Sequence, residues 1–478
     1  YNGGRIVGHR PPQTAGGPTI KIPSSPRVRV SPIHAPGVCL VLFVVAVDVQ
    51  AAAACGHCWS ISPPVSRAWT LARHLFDGMP PKKRGKKDKG AAAAETLQEV
   101  SHDHIGALPD DALHHILSFL PAQDVVRTCV LAQRWRHLWK STRALRIISP
   151  GSIAEIKMFV DHLLLLRAGS PIDKFELHTC KGLSKDDIHV ILWVRSVVAC
   201  KAQAIELDIF QSFHNWLELD DLHLVFASQH LTRLEFAYVA FNDSILNFSR
   251  CTALQDLHIR MCYFQAKRIS SHSLKRLSFT ECRSSDRIRT RIHTPNLISL
   301  CLDKAFPRAP VLETMPSLSE AVVAIHDGCA DLCNVLCENF SCAACYGLEE
   351  KDTSCVLLQG LSSAENLTLT AQSQMFIFRR DLKWFPTFRN LKKLLLNEHW
   401  SVPDLSALSC ILEHSPVLEK LTLQLFSKGP KHNVHIKGSP DPKETPAARL
   451  QHLKIVEVKC KLVDENVLNV LKFLDKWN

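Results

Sequence analysis

Two hydrophobic patterns divide the chain. From about residue 170 onward, short pieces recur in which the first, fourth and sixth positions are apolar. They are "LTRLEF" from Leu231, "LQDLHI" from Leu254, "LKRLSF" from Leu274, "LISLCL" from Leu297 and "LSEAVV" from Leu318. Weaker copies precede them, "IDKFEL" from Ile172 and "AQAIEL" from Ala202, and "AENLTL" from Ala364, "LKKLLL" from Leu391 and "LEKLTL" from Leu418 follow. Alternation at the end of each piece predicts a short strand with one buried face. The second pattern is confined to "LPDDALHHILSFLPAQDVVRTCVLAQRWRHLWKS", from Leu108 to Ser141. There Leu113, Ile116, Leu117 and Leu120 form one helical stripe, and Asp110 and Asp111 are placed to cap and charge-match its start. Pro121 stops this helix and Asp124 offers a second N-cap. A second helix is expected from Val125, Val126, Cys129 and Val130 through Leu131, Trp135, Leu138 and Trp139.

The five strong copies start 23, 20, 23 and 21 residues apart, the period of a leucine-rich repeat. No single unit buries its leucines, so units must stack, each giving a strand to a concave side and a loop or helix to the back. The expected fold is α/β: a curved leucine-rich-repeat solenoid over residues 170–430, behind a small helical module at 104–145. Intervals of 27 and more toward the C-terminus imply a bulkier back there. Side chains between the leucines face the concave side, which nominates Arg233, Glu235, Asp256, His258, Arg276, Ser278, Lys393, Lys420 and Thr422. Taken singly, each fits a solvated strand face; together they form a mixed-charge surface for a target protein or a small molecule.

The helical module of about forty residues buries too little surface to be robust alone, which points to a partner covering its exposed stripe. The segment resembles an F-box, in particular the plant type. The matching residues are Leu108, Pro109, Asp110, Asp111, Ile116, Leu117, Ser118, Phe119, Leu120, Pro121, Arg127, Thr128, Cys129, Leu131, Arg134, Trp135, Leu138 and Trp139. Ala112, Ala132 and Gln133 depart from the pattern. The resemblance implies binding to an SKP-type adaptor, and through it to a cullin-RING ubiquitin ligase. The implied adaptor contacts are Leu108, Pro109, Ile116, Leu117, Leu120, Val125, Leu131, Trp135, Leu138 and Trp139. For Trp135 and Trp139, one helical turn apart, plain core packing is the alternative. Leu108 and Pro109 precede the first helix, where internal packing has least use for them. The last stretch, from His452, carries "LKIVEVK" and then a helical pattern in Val463, Val467, Leu468, Val470, Leu471 and Leu474. Residues 450–478 resemble the start of the FBD module that often ends plant F-box/LRR proteins, in a shortened form.

Charge changes the picture only through its distribution. The net charge is +11, yet residues 1–78 hold seven basic against two acidic groups and "MPPKKRGKKDKG" at 79–90 holds six against one. The remaining 388 residues carry 44 basic and 43 acidic groups, so the folded part has no bulk positive field for nucleic acid. Residues 1–100 are expected to be a disordered leader, with Met79 a candidate start. The cluster Lys82, Lys83, Arg84, Lys86, Lys87, Lys89 fits either nuclear import or a solvated tail. The apolar run Val38–Val47 is too short to span a bilayer and is interrupted by Asp48, so neither membrane insertion nor secretion is expected. A nuclear or cytoplasmic location follows.

Other chemistry finds little support. "CGHC" at Cys55 to Cys58 has disulfide-exchange spacing without a surrounding βαβ pattern. Cys329, Cys333, Cys337, Cys342 and Cys345 could suggest zinc, but their spacing also fits a helix stripe of small buried residues. The other thiols are scattered as in a reducing compartment, where the formal glycosylation sites at Asn247 and Asn366 would go unused. His114 and His115 are adjacent and point apart on a helix. There is no G-x-S-x-G, Walker A, kinase or H-E-x-x-H motif, and no cofactor or metal is expected. Two functions stand. One is a non-catalytic specificity subunit that docks a ligase through the helical module and holds a target on the repeats. The other is a scaffold or small-molecule sensor with a degenerate F-box.

Overall fold

The structure, a computed structural model, describes residues 108–179, 188–210, 216–218, 227–241, 246–284, 289–325, 355–371, 381–382, 385–400, 405–425, 452–460, 463 and 465–475. The leader, its basic cluster, "CGHC", the apolar run Val38–Val47 and the cysteine group 329–345 lie outside the described residues.

Each leucine piece becomes one strand of a single ladder. Twelve strands pair in strict chain order and in parallel: Ala144–Ser149, Lys174–Thr179, Ala204–Ile209, Arg233–Ala237, Asp256–Arg260, Arg276–Thr280, Ser299–Asp303, Glu320–Ala324, Asn366–Thr370, Lys393–Asn397, Lys420–Leu425 and Ile455–Cys460. Register is uniform: Leu234, Leu257, Leu277, Leu300, Ala321, Leu367, Leu394 and Leu421 form one continuous row. That row and the one two residues on, from Phe236 to Leu423, point away from solvent and are buried. The ladder begins at Ala144 and ends at Cys460, wider at both ends than the expected 170–430.

Interval length decides what lies behind the strands. Where consecutive strands start 30 residues apart, at Ala144, Lys174 and Ala204, the helices Ile153–Leu166 and Ile188–Ala199 fill the back. The helix Ser406–Glu413 does the same between Lys393 and Lys420, 27 residues apart. In the middle, intervals of 20 to 23 leave no room for a helix of several turns and its two connections. Short strands take its place there, in two small parallel sheets: one orders Arg283–Ser284, Tyr263–Phe264 and Val239–Phe241 and is continued by Leu217–Glu218, which comes from the 29-residue interval between Ala204 and Arg233, and the other orders Val311–Leu312, Arg291–His293 and Arg268–Ser270. The bulkier back therefore occurs at the N-terminal end as well as the C-terminal one. No helix among the described residues is long and apolar enough to cross a membrane.

The helical hook closes the first edge of this ladder. Its first helix is Asp110–Leu117, and Pro109, not an aspartate, is the cap residue; its carbonyl accepts from the Leu113 N–H at 3.1 Å. Asp110 and Asp111 occupy the first turn, where they match the helix dipole. Pro121 likewise caps Ala122–Arg127, and Asp124 lies inside that helix, paired with Arg127 at 2.6 Å. The expected long second helix is broken instead into 3-10 turns at Thr128–Val130 and Gln133–Arg136, then a last turn Leu138–Ser141. These breaks let one short segment turn both tryptophans inward. At the other end, Ile455–Cys460 and the helix Glu465–Asp475 confirm a strand and a helix where the C-terminal pattern put them.

Candidate functional site

The hook sorts its apolar residues into two sets. Leu113, Leu117, Ala122, Val125, Val126, Trp135, Leu138 and Trp139 are buried and belong to the same core as the first strand's Leu145 and Ile147. The indole N–H of Trp139 donates to the Arg136 carbonyl at 3.2 Å, which completes its packing. The outward set is Ile116 at 36% exposure, Phe119 at 54%, Val130 at 65% and Leu131 at 67%. Pro109 is exposed, and Leu108 and Leu120 are half-buried. Of the ten nominated adaptor contacts, Leu117, Val125, Trp135, Leu138 and Trp139 thus face inward, and Pro109, Ile116 and Leu131 face solvent. Phe119 and Val130 were not nominated; Phe119 lies off the first helical stripe, a signal that could have found it, whereas Val130 continues an apolar run and only the break after Arg127 turns it outward.

Polar ties hold this outward set on a fixed scaffold. Arg134 reaches back 24 residues to grip Asp110 Oδ1, from Nη2 at 2.6 Å and Nε at 3.0 Å. Arg146 on the first ladder strand donates to the Phe119 carbonyl at 2.9 Å. Arg167 is 2% exposed and donates to the carbonyls of Trp139 at 2.9 Å and Thr142 at 2.7 Å.

The solvent face of the ladder is a grid, because in-register strands put like positions side by side. Its first five rungs carry charge in matched pairs. Arg146 meets Glu176 at 2.6 Å, Lys174 bridges Glu176 and Glu206 (3.3 Å to the latter), Arg260 meets Asp208 at 2.9 Å, and Arg233 pairs with Glu235. Arg276, on the sixth strand, meets Asp256 at 2.6 Å. His178 lies 3.5 Å from Glu206 and 3.9 Å from Asp208. Burial pulls His258 below the ordinary histidine range, although Glu235 and Asp256 oppose this. Burial would push Glu176 up, but the hydrogen bonds and charges of Lys174 and Arg146 hold it below the ordinary carboxylate range. Glu176, His178 and Glu206 are close enough together to share a cation, and the Lys174 ammonium already bridges two of them.

Beyond Arg276 the central row is uncharged: Ser278, Cys301, Val322, Thr368, Leu395 and Thr422 follow one another in register. Of the nominated face residues, Arg233, Glu235, Asp256 and Arg276 are engaged in pairs and Asp256 is buried. Lys420 pairs with Glu457 at 3.0 Å, and Lys393 is exposed. Glu176, Glu206 and Asp208 were missed because they lie on the weaker copies "IDKFEL" and "AQAIEL" or beside them.

Comparison with known proteins agrees with this geometry. Residues 105–146 match the F-box domain family. An F-box/FBD/LRR-repeat protein of Arabidopsis thaliana is 27% identical over 412 residues, covering 78% of this chain and 90% of the relative. An F-box/LRR-repeat protein of the same plant is 27% identical over 375 residues, covering 68% and 92%. The MEIOTIC F-BOX protein MOF of Oryza sativa subsp. japonica is 28% identical over 346 residues, covering 67% and 71%.

Proposed function

For a chain that belongs with the plant F-box/FBD/LRR-repeat proteins, we propose a role as the substrate-recognition subunit of an SCF-type cullin-RING ubiquitin ligase. The hook docks an SKP-type adaptor through Leu108, Pro109, Ile116, Phe119, Val130 and Leu131. The ladder is a leucine-rich-repeat solenoid, and its solvent face holds the target protein. Ubiquitin is transferred by other subunits, so this chain carries out no covalent step. Support for the solenoid comes from twelve parallel strands in chain order at repeat spacing. The nine described cysteines are all free, which supports a reducing compartment, nuclear or cytoplasmic.

One observation carries the docking assignment: the hook's own core is filled, yet four large apolar side chains stay outside it. A monomeric module gains nothing from such a patch, whereas a partner would bury it. The test is co-purification of the full chain with an SKP-type adaptor, comparing wild type with the double variant Leu108→Ala/Pro109→Ala and with Leu131→Asp. Burying two apolar groups of this size is worth roughly 2–4 kcal/mol, enough to weaken affinity by one to three orders of magnitude. Loss of the adaptor from well-folded variants is the expected result. A wild-type chain that folds and ignores the adaptor would leave a scaffold with a relic F-box.

A further inference from the structure

The two halves of the ladder face differ in what they can offer a partner. Across the strands from Ala144 to Arg260, together with Arg276, five cations (Arg146, Lys174, Arg233, Arg260, Arg276) are matched by five anions (Glu176, Glu206, Asp208, Glu235, Asp256). Covering this lattice would strip water from charges already satisfied by one another, a penalty that new contacts rarely recover. Farther along, the row Cys301, Val322, Thr368, Leu395 is half-buried, uncharged and free of that penalty.

Beyond this row Lys420 is paired with Glu457, but three charges beside the row are not paired among the described residues. Asp303 and Glu320 flank the row on its two sides and together push the Cys301 thiol up, in addition to the burial that dominates its shift. Neither has an ion-pair partner among the described residues, and the same holds for Lys393. Glu320, Asn366 and Lys393 stand in register on successive strands, so the acid and the lysine are two rungs, roughly 10 Å, apart. A peptide in the polyproline II conformation covers that distance in about three residues, one turn, so that side chains three apart face the same side.

Resting on the assignment of the ladder face as the target-binding surface, we propose that the target segment lies across strands Ser299–Asp303 to Lys393–Asn397. It is an extended peptide in the polyproline II conformation, with a basic residue facing Glu320, an acidic residue about three positions away facing Lys393, and small apolar side chains against Val322 and Leu395. The charged lattice beside it keeps the face rigid and excludes other registers.

A random dodecamer peptide display library panned on the full chain tests this. Enriched peptides carry the basic and acidic residues about three apart, and Val322→Arg or Thr368→Lys weakens them at least about tenfold. Glu320→Lys weakens them similarly, and exchanging the peptide's basic residue for an acidic one restores binding to that variant. Glu206→Gln, within the lattice, changes affinity less than about twofold. Thermal unfolding of each variant separates loss of contact from loss of fold, and either of the two row variants suffices. Failure to enrich any peptide, enrichment without the charge spacing, or loss on Glu206→Gln with retention on Val322→Arg and Thr368→Lys would overturn the proposal. Adaptor co-purification from the same preparations reports separately on the ligase role, because the row variants leave the hook untouched.

Discussion

Arg167 donates to the carbonyl of Trp139 at 2.9 Å from a side chain with 2% exposure and without an ion-pair partner among the described residues. The second donor of the same guanidinium takes the Thr142 carbonyl at 2.7 Å. These are the last carbonyls of the hook, and Arg167 follows the first helix behind the ladder, so one side chain joins the two parts. Replacing it by leucine leaves both carbonyls without this donor in a site that water does not reach. Arg167→Leu is expected to lower stability by about 2–4 kcal/mol. Chemical denaturation measures the loss, and hydrogen exchange should show faster opening at Leu138 to Thr142 than in the middle rungs.

The acid limb of the stability curve should report on Glu176. Its native pKa lies below the ordinary range of about 4.3, because Lys174 and Arg146 outweigh the effect of burial. As pH falls, the unfolded chain takes up the proton first. The carboxylate's contribution is therefore complete above about pH 4.3 and is lost as pH drops through the lower native value. Glu176→Gln should be less stable near neutrality and should lose less on acidification below about pH 4.3. Unfolding free energies measured between pH 6 and 2.5 would show two parallel curves if the idea is wrong.

Gly360 allows the short helix Leu358–Leu361 to press on the strand Val311–Leu312. A Cβ there would stand 2.5 Å from the Leu312 Cβ and 2.9 Å from its carbonyl oxygen. One of those contacts is backbone, so no rotamer change relieves it. Gly360→Ala is expected to cost about 1–3 kcal/mol by overpacking, despite the better helix propensity of alanine. A lower melting temperature measured by circular dichroism is the check, and an unchanged or higher one would show that the helix can slide.

What the sequence made legible follows from how local each cause is. Strand positions were visible because the leucine rows depend only on alternation and spacing, and the intervals of 20 to 23 residues between Arg233 and Glu320 exclude a long helix at the back there. The breaks after Arg127 were not visible, since Cys129, Val130 and Leu131 continue an apolar run whatever the backbone does. Those breaks decide that Trp135 and Trp139 face in while Val130 and Leu131 face out. The grip of Arg134 on Asp110 and the pairing of Arg146 with Glu176 join residues 24 and 30 apart, and only the fold brings them together. Left-handed backbone at Tyr238, Met261, Glu281 and Lys304, each just after a ladder strand, also escaped notice because none of these is glycine.

Two cysteines explain part of that corner, and they yield a chemical prediction. Cys262 donates to the Phe236 carbonyl at 3.5 Å and accepts from the Val239 N–H at 3.4 Å, while Cys282 donates to the Ile259 carbonyl at 3.3 Å. Burial pushes Cys282 up to about 12 and Cys251 up to about 11. At pH 8 so little thiolate remains that alkylation of the native chain at these positions should run at least about two orders of magnitude slower than for an ordinary thiol. Mass-spectrometric mapping of iodoacetamide labelling, native against denatured, reads this directly. Rapid native labelling of Cys282 would mean that the corner opens.

Inward and outward residues of the hook should separate folding from docking. Trp139 is enclosed by the hook and the first strand, so Trp139→Ala removes a large buried ring and is expected to cost about 3–5 kcal/mol. Leu131 touches little of its own chain at 67% exposure, so Leu131→Asp should change stability by no more than about 0.5 kcal/mol. The order reverses for adaptor binding measured per folded molecule. Leu131→Asp places a charge in the middle of the surface an adaptor would dry, and it should abolish association. Trp139→Ala weakens association only as far as the hook unfolds, and lowering the temperature should recover part of it. Equal, temperature-independent loss in both variants would instead put the Trp139 ring at the interface, reached by a rearrangement of the hook on binding.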